Sequence, residues 1–114
     1  MPEIDVGQVR DAESTQRWFA SRLGLWGPGT ATDDLLETLA VFCGRVGKGP
    51  DEMIGDCLKP GKDRDVFTLR TRARRQYIDQ IEQFEVDTRS RDQANVVRSF
   101  FIHNGVAMNP SILA

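Results

Sequence analysis

Apolar residues return at three- and four-residue steps along almost the whole of this 114-residue chain, and no stretch alternates with the period of two that a half-buried strand requires. Such spacing lines one side of a helix and gives a β-sheet no face to bury. A chain of this length is one domain of ordinary size, so the expectation is an all-α fold, a compact bundle of four to five helices around one core.

Glycine, proline and capping residues divide that pattern. A first helix is expected over about 11–23, with Ala12, Phe19 and Leu23 on one side and a stop near Gly24. The Trp26-Gly27-Pro28-Gly29-Thr30 stretch then reads as a linker. Thr32, followed by Asp33 and Asp34, marks the start of a second helix over 33–46, whose apolar face is Leu35, Leu36, Leu39, Phe42, Cys43 and Val46. Pro50 sits where a helix accepts proline and opens a short helix over 50–58 with Met53, Ile54, Cys57 and Leu58 inward. The longest helix is expected over 63–84, on the stripe Val66, Leu69, Ala73, Tyr77, Ile81 and Phe84. A last helix, over 91–103, starts at a Ser90/Gln93 capping box, buries Ala94, Val97 and Phe101, and stops at Asn104-Gly105.

The formal charge of −2 hides a sorted distribution. Residues 1–58 carry five basic groups against ten acidic ones, net −5, whereas 59–75 carry seven against two, net +5. Residues 76–87 are net −4 and 88–114 net +2. Twelve of the fifteen basic side chains are arginine, the better residue for bidentate contact with phosphate and guanine. Arg70, Arg72, Arg74 and Arg75 form a basic band on the long helix. Arg91, Asn95 and Arg98, at i, i+4 and i+7, share one face of the last helix, a pattern suited to phosphate contact by arginine and base-edge contact by asparagine. The alternative is a solvated surface with local pairs such as Arg75 with Asp79, each worth a few tenths of a kcal/mol.

Other chemistry is sparse. His103 is the sole histidine and lies at a helix C-terminus, where the dipole favours an imidazolium. Gly44-Arg45-Val46-Gly47-Lys48-Gly49 lacks the glycine spacing, the hydroxyl residue and the strand of a phosphate-binding loop, and reads as a C-cap turn with Lys48 exposed. Cys43 and Cys57 have no metal-ligand spacing and make no disulfide framework, so a reducing, cytoplasmic setting is expected. No apolar run approaches the ~20 residues of a membrane span, and the opening residues lack the pattern of a secretion signal. No metal, cofactor, membrane or small-molecule substrate is expected.

From Thr32 onward the sequence resembles the SAM-like core-binding domain that precedes the catalytic domain in tyrosine recombinases and phage-type integrases. Thr32, Leu36, Leu39 and Phe42 look like the family's opening helix. Gly47-Lys48-Gly49-Pro50-Asp51-Glu52-Met53-Ile54 is similar to a "G-K-x-P-D-E-L-I" link, and Tyr77-Ile78-Asp79-Gln80-Ile81 to a "Y-x-x-x-L" helix. Thr88, Arg91, Val97-Arg98-Ser99-Phe100-Phe101, Asn104-Gly105-Val106 and Asn109-Pro110 resemble the "T-x-x-R … L-R-S-F-F … N-G-I … N-P" close of that domain. The resemblance divides the chain into 1–31, an N-terminal helix and linker of uncertain role, and 32–114, the DNA-binding domain.

It implies a helical half-clamp on duplex DNA, with double-stranded DNA and other recombinase protomers as partners and a DNA-associated place in the cytoplasm. Arg91, Asn95 and Arg98 would face the groove, while Arg70, Arg72, Arg74, Arg75, Arg89 and Lys48 would hold the backbone. In the family the catalytic tyrosine and its partners lie beyond the closing Asn-Pro, so the resemblance implies no catalytic residue in this chain; Tyr77, on the apolar stripe of the long helix, reads as core. Against this stands a helical protein-interaction or oligomerisation module, in which Trp18, Phe19, Leu25 and Trp26 supply aromatic and apolar anchors. The same side chains could instead cap the bundle's own core.

Overall fold

The structure is a computed structural model, and it describes residues 5–27, 29, 32–60 and 67–108. Its helices are α1 (Val6–Asp11), α2 (Glu13–Trp26), α3 (Asp33–Val46), α4 (Pro50–Cys57), α5 (Thr71–Thr88) and α6 (Arg91–His103). Strands β1 (Leu58–Pro60) and β2 (Phe67–Leu69) form one antiparallel hairpin. Val66 and the Asn109-Pro110 close lie outside the described residues, as does part of the 26–30 linker.

The middle of the chain folds as its punctuation dictates. α3 spans the expected 33–46 and ends at Gly47, which takes the left-handed conformation (φ 78°, ψ 27°) and donates its N–H to the Cys43 carbonyl at 2.7 Å. Pro50 opens α4, with Met53, Ile54 and Cys57 buried. Ser90 caps α6 by accepting from the Gln93 N–H at 3.1 Å.

Two expectations are corrected. The N-terminal helix over 11–23 is instead two helices. An Asp5/Gln8 capping box starts α1, and the extended backbone of Ala12 (ψ 137°) breaks the chain before α2, which runs through Gly24 to Trp26. The start of α2 is capped from a distance. Asp51 on α4 accepts the N–H groups of Ser14 at 2.8 Å and Glu13 at 3.3 Å, outweighing the burial that alone would raise its carboxyl and holding it below the ordinary range. No local pattern encodes a cap 37 residues away.

The long helix also starts later than 63–84, at Thr71. Leu58↔Leu69, Lys59↔Thr68 and Pro60↔Phe67 pair as the hairpin, and the Arg70 N–H extends the ladder to the Cys57 carbonyl at 2.7 Å. Phe67-Thr68-Leu69 is rich in aromatic and β-branched character, so it takes the sheet conformation once β1 is beside it. Leu69 therefore leaves the helical stripe and is exposed.

α6 is the hub, packing against α2, α3 and α5. Its residues 97–101 are all buried, more than one stripe of a helix, which identifies an element surrounded on most sides. Phe100 meets the Trp18 ring edge-on at 5.6 Å, Phe101 lies 5.3 Å from Tyr77, and Phe42 packs against Phe84 at 5.6 Å. Val9 of α1 and Trp18 of α2 belong to this same core, so α1 and α2 do not stand apart from the bundle. A radius of gyration of 13.5 Å is that of a single domain of this length.

Candidate nucleic-acid interface

Nine polar side chains carry the nucleic-acid reading, and the fold sorts them into three groups. The first lies at the seam between α5 and α6. Arg98 is only 4% exposed and donates from Nη1 to Glu85 Oε1 at 3.0 Å and to Asn95 Oδ1 at 2.8 Å. Arg91 keeps 80% of its side chain in solvent, with Nε 4.0 Å from the other Glu85 oxygen. The expected groove-facing row of Arg91, Asn95 and Arg98 is thus corrected at Arg98, which is buried, while Arg91 stays exposed. Arg98 closes over Glu85, and Asn95 accepts from the same guanidinium, because α5 packs along that side of α6 and brings a carboxylate to it. A buried guanidinium requires such a partner.

The second group is occupied in holding the fold. Lys48 pairs with Asp56 Oδ2 at 2.6 Å, and the Tyr77 hydroxyl donates to the same oxygen at 2.6 Å. The hydrogen bond from Lys48 to Asp56 raises the Lys48 ammonium above its ordinary value. Burial alone would raise Asp56, but the hydrogen bonds from Lys48 and Tyr77 outweigh it and hold the carboxyl below the ordinary range. Tyr77 itself is buried, and its phenol is pushed far up by burial and by Asp56. Arg74 is half-buried and donates from Nε to the Ala107 carbonyl at 2.6 Å, tying the segment after α6 to α5.

The third group is exposed and unpaired. Arg70, Arg72 and Arg75 sit at the first turns of α5 and make no ion pair among the described residues. The Arg75–Asp79 pair that the spacing allows is not formed. Arg70 also lines a groove of about 340 Å³ together with Lys48, Asp56, Gln76, Tyr77 and Gln80. The first N–H groups of α5 have no side-chain cap, so the positive end of its dipole adds to these three charges. Arg89 is exposed at the opposite end of α5.

Features outside this set became visible only in three dimensions. His103 ends α6 with Nδ1 2.6 Å from Ser21 Oγ and its ring 5.5 Å from Trp26, which also lies under the Arg22 guanidinium. Ser99 Oγ receives both Trp18 Nε1 at 2.9 Å and Arg22 Nη1 at 3.2 Å. These contacts bind α2 to α6, and the sequence signal for them was the aromatic pair at 18 and 26. A cavity of about 810 Å³ between α2, α4, the hairpin and the turn after α6 has an apolar floor of Ile54, Leu58 and Leu69, with Arg17 and Asp51 at its lining. Among the described residues no cluster of His, Cys, Asp and Glu could hold a metal ion, and no helix is long and apolar enough to cross a membrane. No protein-family model matches the sequence, and no curated protein or solved structure matches it.

Proposed function

We propose that the chain is a duplex-DNA-binding module, of the core-binding kind its sequence resembles, that seats a tyrosine recombinase on its core site for integration or recombination by a separate catalytic domain. The observation that carries this reading is the group of Arg70, Arg72 and Arg75 at the uncapped start of α5, exposed and without ion pairs among the described residues. Arginines whose side chains hold no hydrogen bond or ion pair among the described residues, clustered at a helix N-terminus, form a surface for phosphate. Here the contact face moves from α6 to the start of α5, and double-stranded DNA and neighbouring protomers on it are the partners. Binding is titrated on a mixed-sequence duplex at several salt concentrations. Each neutralised phosphate contributes about −0.9 to the slope of log K against log salt, so these three arginines alone account for about −2.7. A flat salt response, or no binding at low salt, overturns the reading.

A second reading, a protein-interaction module, rests on the end of α2, where Leu23, Leu25 and Trp26 are 45%, 64% and 47% exposed. Its test is the molecular mass of the full chain against Leu25→Glu, a surface change that leaves the core intact. A dimer converted to a monomer supports it, and two monomers reject it.

A further inference from the structure

Among the described residues, positive φ falls on Gly27, Gly29, Gly47 and Gly105 and on one residue that is not glycine, Arg89 at φ 55°, ψ 35°. Arg89 is the C-cap of α5, the position that Gly47 fills after α3, and glycine takes this conformation without the Cβ clash that arginine must bear. The Arg89 backbone N–H meets the Val86 carbonyl at 3.3 Å, but its guanidinium has no hydrogen bond or ion pair among the described residues and is exposed. Two residues on, Arg91 is 80% exposed and touches Glu85 only at 4.0 Å. Both project from a turn whose backbone is fixed on either side, by the cap of α5 and by Ser90 at the start of α6.

This pair is remote from Arg70, Arg72 and Arg75. Along α5, Arg89 lies about 28 Å from Arg70 and about 21 Å from Arg75 at the helical rise. The exposed carboxylates of Asp79 and Glu82 occupy the helix between the two ends, so one phosphate cannot serve both. We propose that Arg89 and Arg91 form a second phosphate-contact point, and that the chain grips its partner at both ends of α5. The partner is then a double helix stiff and long enough to reach both, about six to eight base pairs at 3.4 Å each. The acidic middle of α5 crosses a groove between the two phosphate contacts. This inference rests on the DNA-binding reading above.

The test uses the full chain with DNA hairpins of 5 and 14 base pairs in the stem, a single strand of the longer length, and the variants Arg89→Gly and Arg89→Ala/Arg91→Ala. On the long stem, Arg89→Gly loses about eightfold in affinity at 0.1 M salt, and its salt slope is shallower by about 0.9. Its melting temperature is unchanged or higher, because the strain is relieved. The double variant on the long stem matches the slope of the unaltered chain on the short stem, and the single strand binds no more steeply than the short stem. Variants that bind the long stem as the unaltered chain does overturn the second contact point while leaving DNA binding in place. Failure of the unaltered chain to bind any of the DNAs overturns both.

Discussion

Arg98 and Arg72 are the same residue type within one pair of helices, and the fold uses them in opposite ways. Arg98 lies in the α5–α6 seam, 4% exposed and bonded to Glu85 and Asn95, so its charge is spent on holding two helices together. Arg72, on the first turn of α5, is exposed with no ion pair among the described residues. The difference teaches that a basic helix face in a sequence is a set of charges whose availability is decided by what packs beside it. Here the middle of α6 is the buried hub, and the free charge lies at the start of α5 and at the turn between the two helices.

The hub side of that contrast yields the largest expected effect. Trp18→Ala removes a fully buried indole and its bond to Ser99, and is expected to cost about 3–5 kcal/mol in chemical denaturation. A loss below about 1 kcal/mol would mean that α2 is not part of the core. Next in size is Arg98→Ala, which empties a buried site and takes from the part-exposed Glu85 its nearer partner, at a cost of about 2 kcal/mol. Arg98→Met restores the buried volume, folds better than the alanine variant and retains the DNA affinity of the unaltered chain. If Arg98→Met loses DNA binding as Arg72 variants do, the distinction between the two arginines collapses.

The pattern of what the sequence carried follows from the range of the interactions. α3, α4 and the N-cap of α6 were legible because Gly47, Pro50 and Ser90 act on backbone within a few residues of themselves. α2 was misplaced because its cap, Asp51, arrives from α4 through tertiary contact. The start of α5 was misplaced because β1 recruits residues 67–69 into a hairpin, and a helical stripe ending at Leu69 has no means of announcing that partner. The same limit governs the site. Arg70, Arg72 and Arg75 stayed exposed as read, whereas Lys48, Arg74 and Arg98 each met a partner, Asp56, Ala107 or Glu85, from another element.

A smaller effect tests the burial of the core by pH. Burial pushes the Cys43 thiol from 9.0 to about 12 and the Cys57 thiol to about 11, so between pH 9 and 11 the folded chain holds two protons that the unfolded chain releases. Stability is therefore fully present below pH 9 and falls above it, by about 1.4 kcal/mol per pH unit for each thiol. Denaturation midpoints between pH 9 and 10, below the range where the Tyr77 phenol adds to the slope, should show a limb that flattens in Cys43→Ala/Cys57→Ala. An equally steep limb in that variant places the thiols in contact with solvent.

The most direct measurement of the central claim is duplex binding by Arg72→Ala/Arg75→Ala across salt concentrations, with helical content and denaturation midpoint measured on the same protein. Both side chains are exposed and hold no ion pair among the described residues, so stability should change by less than about 0.5 kcal/mol. Affinity at 0.1 M salt should drop about sixtyfold, and the salt slope should become shallower by about 1.8. A folded double variant that binds duplex with the affinity and slope of the unaltered chain contradicts the account.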